Sequence, residues 1–174
     1  MDFLYTIDEK YLQAIEELYY GELPKAMHFF NEIVNADPTY ARAYYQLGSC
    51  YYYQFKNYQT AGYYYKKCIE LEPSFPDVYE HYLKLLIVLK MNKSVEQVAQ
   101  QALKVHGVRQ DLIYENLGLY AEEQQDYSQA KAYFQKASLI APSTQIHSHL
   151  KEHLERITDK QKAKQQMVYA YQGN

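Results

Sequence analysis

Residues 111–144 read DLIYENLGLYAEEQQDYSQAKAYFQKASLIAPST, and this stretch decides the fold. Tyr114, Leu117, Gly118 and Ala121 fall on one face at helical spacing, and Tyr127, Ala130, Phe134 and Ala137 form a second face of the same kind. Between them stands Asp126, a residue type that breaks and caps helices, and Pro142 ends the second segment. Two short amphipathic helices joined by a turn cannot bury their apolar faces alone, so the stretch predicts neighbours of its own shape.

Outward from it, the neighbours are present. Ala26, Ala61, Val95 and Ala130 are separated by 35, 34 and 35 residues. The same intervals separate Phe30, Tyr65, Ala99 and Phe134, then Ile33, Cys68, Ala102 and Ala137, then Pro38, Pro73, Gly107 and Pro142. Four ladders in one register mean stacked repeats. The order of an aromatic, Leu-Gly, Ala, an aromatic, a small residue and Pro resembles the tetratricopeptide repeat, a helix-turn-helix unit of about 34 residues. Residues 41–75 match it through Tyr44, Leu47, Gly48, Tyr51, Ala61, Tyr65, Cys68 and Pro73, with one extra residue in the turn near Phe55 to Asn57.

The other two copies depart from the pattern. In 76–110 the Leu-Gly pair becomes Tyr82-Leu83, and Ser94 with Gln97 reads as a capping box opening the second helix. In the first copy the period places Ile7, Tyr11, Ala14 and Leu18 inward, which requires a turn one residue shorter, with Pro24 in the first turn of its second helix. Thr6 and Glu9 form a capping box there. Beyond Pro142, the stripe Ile146, Leu150, Leu154 and Ile157 predicts a terminal helix from Gln145 to about Lys164, followed by a stretch without strong pattern through Tyr169 and Tyr171.

The expected fold is all-α. It is a right-handed superhelical stack of four hairpins (about 7–40, 41–75, 76–110 and 111–144) with a capping helix and tail (145–174), read as a single domain over 1–174. A chain of 174 residues buries roughly 70% of its unfolded surface, enough for a continuous core. Cys50 and Cys68 fall at helical positions and read as buried thiols. With no basic leader, no long apolar run, and Met1 taken as the natural start, the expected location is cytoplasmic and no membrane contact is expected. The net charge of −3 gives no general attraction for nucleic acid, so none is expected as a partner.

Tyrosine is the other strong signal, at 22 residues with no Trp. Tyr44, Tyr51, Tyr58 and Tyr65 fill places where the repeat wants bulk, whereas Tyr45, Ser49 and Tyr52 lie i, i+4, i+7 on an adjacent face of the first helix of their repeat. In tetratricopeptide repeats that face lines a concave groove for partner peptides. The resemblance therefore implies a groove through Tyr19, Tyr45, Ser49, Tyr52, Lys84, Glu115, Leu119 and Glu122, aromatic at one end and acidic at the other. A carboxylate clamp is not expected, because Leu12 and Glu16 stand where it needs Lys and Asn.

The implied function is a non-enzymatic module binding a protein or peptide. The alternatives are a small cytosolic chaperone holding client segments, and a scaffold that assembles with itself by docking its basic, aromatic tail (Lys160, Lys162, Lys164, Tyr169, Tyr171) onto the acidic end of a neighbour's groove. His149-Leu150-Lys151-Glu152-His153 fits the H-x-x-E-H pattern of zinc hydrolases. With no cleft expected and little chain left for a third ligand, it reads as a solvated helix face, the alternative being adventitious or structural metal binding through His147, His149 and His153. No catalytic residue, metal or cofactor is expected.

Overall fold

The computed structural model describes residues 6–172, and their side chains through residue 166. Among these residues every regular element is an α-helix. The chain divides into two compact units, 1–91 and 92–174.

The first unit holds α1 (Ile7–Tyr20), α2 (Leu23–Ala36), α3 (Ala41–Tyr53), α4 (Tyr58–Leu71) and α5 (Asp77–Val88), each packed on the next where the neighbour lies within the unit. Thr6 opens α1 with the expected capping box, its hydroxyl accepting from the Glu9 N–H and the Glu9 carboxylate accepting from the Thr6 N–H. Only Gly21 and Glu22 separate α1 from α2, whereas Gln54 to Asn57 separate α3 from α4. The short turn explains the register of the first copy: Ala14 is fully buried, with Ile7, Tyr11 and Leu18 packed around it. The long turn contains the extra residue expected there. Lys56 adopts a left-handed φ of 53°, and the Asn57 side chain caps α4 by accepting from the Thr60 N–H.

The second unit holds α6 (Asn92–Ala102), α7 (Gln110–Glu123), α8 (Tyr127–Leu139) and α9 (Thr144–Gln172). Asp126 caps α8 as expected, accepting from the Gln129 N–H after a left-handed Gln125. Two boundaries differ from the sequence reading. Ser94 does not cap α6: the helix begins at Asn92, one residue beyond a left-handed Lys90 and the intervening Met91, so Ser94 lies inside it. The terminal helix continues past Lys164 to Gln172. Nothing between those residues breaks it, since the first Gly after Pro142 is Gly173 and there is no later Pro.

All the inward ladder positions are in the core. Ala26, Ala61, Val95, Ala130, Phe30, Tyr65, Phe134, Ile33, Cys68, Ala102 and Ala137 are fully buried, and Ala99 nearly so. The glycines of the Leu-Gly pairs have a steric cause. A Cβ on Gly48 would lie 2.6 Å from Tyr65 Cδ1, and one on Gly118 would lie 2.6 Å from Phe134 Cε1, closer than packed carbon atoms tolerate. Cys50 and Cys68 are free and buried, and burial pushes their thiols up to about 11 and about 12.

Candidate functional site

In the first unit the first helices of successive hairpins, α1, α3 and α5, surround a cavity of about 320 Å³. Tyr19 on α1 and Tyr45 and Ser49 on α3, three of the residues named for the groove, line it. They are joined by Tyr53 on α3 and His81 on α5. The remaining lining residues are Leu18, Gln46, Cys50 and Gln54, so no lining side chain is a carboxylate, ammonium or guanidinium.

The aromatic wall is held by ring contacts. Tyr45 meets Phe75 edge-on at 5.3 Å and His81 at 5.6 Å. Tyr53 stands perpendicular to His81 at 5.6 Å, with 2.7 Å between its hydroxyl and His81 Nδ1. Behind them Tyr65, fully buried, donates to the Ser49 hydroxyl at 3.2 Å and lies nearly parallel to His81 at 6.4 Å. Burial lowers the pKa of His81, so the ring is neutral at pH 7. Burial likewise raises the Tyr45 and Tyr53 phenols. The site is therefore aromatic, uncharged and supplied with hydroxyl and amide groups. Tyr19 is 69% exposed, with its ring 6.4 Å from that of Tyr20.

Of the five expected groove residues in this unit, two fall outside the cavity. Tyr52 turns aside to pack against Tyr53 at 4.6 Å and Tyr58 at 5.5 Å, and Lys84 pairs with Glu80 at 2.5 Å one turn earlier on α5. The lining face is rotated by about one position from the i, i+4, i+7 stripe, which brings in Tyr53 and His81 in place of Tyr52 and Lys84. Tyr53 directly follows Tyr52 in the chain, one position round the helix. No sequence signal singled out His81, because its neighbours Tyr45 and Tyr65 lie on other helices.

In the second unit the acidic positions face the chain's own last helix. Glu122 accepts two hydrogen bonds from Arg156, at 2.9 and 2.6 Å, and one from Lys160 at 2.8 Å, and these hold its carboxyl down at about 2. Glu115 faces His149 and His153. Of the three positions expected in this unit, Leu119 is the exposed one. The basic residues expected to reach a second copy are engaged at home, since Lys164 also donates to the Gln125 carbonyl at 3.1 Å. Tyr169 and Tyr171 lie outside the described side chains. The reading of the terminal histidines as a solvated face is corrected by His153. It is 8% exposed and stacks on Phe134 at 4.7 Å, because it stands three residues after Leu150 and four before Ile157, both fully buried on the inward face of the helix.

The comparisons bear on the fold. A family model described as the tetratricopeptide repeat matches residues 41–75 and 112–144. No curated protein matches the sequence. Among solved structures, PilF of Pseudomonas aeruginosa is similar over 90% of this chain and 69% of its own, at 19% identity and a TM-score of 0.76. MamA of Desulfovibrio magneticus RS-1 is similar over 90% and 96%, at 16% identity and a TM-score of 0.68. A human IFIT1 dimer with m7Gppp-AAAA is similar over 89% of this chain and 38% of its own, at 18% identity and a TM-score of 0.77. At such identities the likeness concerns the fold. With a helix-turn-helix hairpin, a buried Leu-Gly pair and a buried aromatic in each, the two matched segments are tetratricopeptide repeats, and the chain has the fold of proteins built from them.

Proposed function

We propose that this chain is a non-enzymatic protein-interaction module, and that an extended or helical segment of a partner docks across α1, α3 and α5. The observation that carries the reading is the uncharged aromatic lining of the cavity. Tyrosine offers a large rigid face and a hydroxyl at low entropic cost, and buried aromatic anchors dominate protein recognition. At about 320 Å³ the cavity is at the small end of ligand pockets. That size suits one anchoring side chain of a longer segment, with exposed Tyr19 closing over it.

The ligand class follows from the same lining. The similar IFIT1 structure is a complex with m7Gppp-AAAA, so the fold alone leaves the class open. Phosphates call for cations, and the cavity presents none, which supports a protein ligand carrying aromatic or aliphatic side chains. The free thiols suit a reducing compartment and support a cytoplasmic site of action. Among the described residues no helix is long and apolar enough to cross a membrane.

A photo-reactive phenylalanine analogue tests the site. Placed at Tyr53 or Tyr19 in the full chain and activated in a native extract, it is expected to label a partner protein, with labelling lost when Tyr45→Ala is added. The control position is Tyr63, which is 63% exposed on α4 and outside the cavity. Equal labelling from Tyr63 overturns the site. Cross-links only to a second copy of the chain overturn the foreign ligand and favour self-assembly.

A further inference from the structure

Three side chains of the second unit bring one donor atom each to a common point. Glu115 Oε1 on α7 lies 3.2 Å from His149 Nε2 and 3.4 Å from His153 Nε2, both on α9, and the two imidazole nitrogens are 3.2 Å apart. Among the described residues this is the one group of three or more His, Cys, Asp or Glu donors that close.

Hydrogen bonds alone fill that triangle poorly. If both Nε2 atoms carry hydrogen and donate to Oε1, two N–H groups lie side by side 3.2 Å apart with their like partial charges crowded and no bond along that edge. If one nitrogen donates to the other, the acceptor's remaining edge sets a lone pair against a carboxylate oxygen. A central cation turns all three edges into ligand contacts. The spacing fits one as well: metal–donor bonds of about 2.0–2.1 Å in a tetrahedron put neighbouring donors about 3.3 Å apart.

We propose that Glu115, His149 and His153 bind a divalent zinc-class ion that clamps α9 onto α7, with a fourth position open to solvent. Two imidazoles and one carboxylate suit zinc and exclude hard cations such as Mg²⁺ and Ca²⁺, which take oxygen ligands. His153 is fixed by its stack on Phe134, at 4.7 Å and 12°, so its Nε2 is already aimed. Its Nδ1 is buried without a hydrogen-bond partner. Among the described residues no carboxylate or carbonyl accepts from it, so they do not supply the support that strengthens a zinc-bound imidazole about 10–100-fold. The His149 side chain is 56% exposed and borders the open side. Glu152 is exposed and outside the donor group, so the H-x-x-E-H pattern serves through its two histidines alone.

What the sequence lacked was the third ligand. It stands on α7, 34 residues before His149, whereas His147, the candidate near the chain end, turns to the Ser138 hydroxyl at 3.0 Å.

The test uses the full chain, free of any tag. Titration with Zn²⁺ is expected to saturate at one equivalent and to raise Tm, and Co²⁺ is expected to give the intense visible absorption of tetrahedral coordination. Mg²⁺ in large excess is expected not to compete. His149→Ala and Glu115→Gln alter less buried ligands and keep the chain folded, and each is expected to weaken binding at least tenfold and abolish the Co²⁺ band. Uptake well under one equivalent by the folded wild type overturns the proposal. So does undiminished binding by His149→Ala and Glu115→Gln, which would place the ion elsewhere.

Discussion

The hairpins α3–α4 and α7–α8 carry the same lock and use it for different ends. In each, a glycine of the first helix receives an aromatic ring of the second, Gly48 under Tyr65 and Gly118 under Phe134. In each, a histidine from the first helix of the following element lies nearly parallel to that ring, His81 on Tyr65 at 24° and His153 on Phe134 at 12°. The surroundings of the histidine then diverge. His81 stands among Tyr45 and Tyr53 and closes an uncharged cavity, while His153 meets His149 and Glu115 and becomes one corner of a donor triangle. The repeat thus provides one ring-stacked histidine slot, and its neighbours on adjacent helices set its chemistry.

Removing the rings is the most severe way to break the comparison. Phe134→Ala and Tyr65→Ala should each destabilise by about 3–5 kcal/mol, read by denaturant unfolding, since each empties a fully buried aromatic site. Similar losses would show that the lock dominates in both hairpins. A much smaller loss for Tyr65→Ala would mean that the surrounding tyrosines collapse into the space.

The glycines come next. Gly48→Ala and Gly118→Ala should each lose about 1–3 kcal/mol, because the new methyl meets a buried ring that has nowhere to move. Gly62→Ala is the internal reference. Its Cβ would come no closer than 3.4 Å to Leu85, so the helix should gain about 0.5–1 kcal/mol from the better helix former. Equal effects at all three glycines would break the steric account.

Glu122→Gln sharpens the difference at the second unit. Losing the charge opposite Arg156 and Lys160 should lower stability by about 1 kcal/mol at pH 7. The folded pKa, about 2, lies below the ordinary 4.5, so this stability is complete above pH 4.5 and is lost as pH falls toward 2. Wild type and variant should therefore converge in acid when melting is followed against pH, and a constant gap would exclude the ion pairs as its source.

The smallest expected effect belongs to His81. Burial depresses its pKa against the opposing pull of Glu80 and Asp77 and with the help of Lys84, so the unfolded chain binds the proton first. Stability is then full above pH 6.5 and declines below it. His81→Phe keeps a ring against Tyr65 and should flatten that decline. An unchanged acid profile would mean that His81 charges freely in the folded chain.

Most of the fold was legible in the sequence because repeats write it several times. The ladder through Ala26, Ala61, Val95 and Ala130 needs only a period, and all four residues are fully buried. Errors gathered where a signal is local and ambiguous. Ser94 and Gln97 have a capping spacing inside a helix that had already started, and the residues after Lys164 lack an apolar stripe yet contain nothing that stops a helix. The candidate sites were legible only in part, because each joins helices far apart in the chain.

By itself the sequence determined the helical hairpins, their register, the inward aromatic and small residues, and the surplus of tyrosine on α3, since all of these depend on periodicity and on volume at fixed spacing. The tertiary structure alone decided which tyrosines share a cavity with His81, that Glu122 pairs with Arg156 and Lys160 within the chain, and that Glu115 completes a triangle with His149 and His153. A helix repeats its faces every 3.6 residues, but the meeting of side chains from different helices depends on packing to within about an ångström, and no periodicity records that.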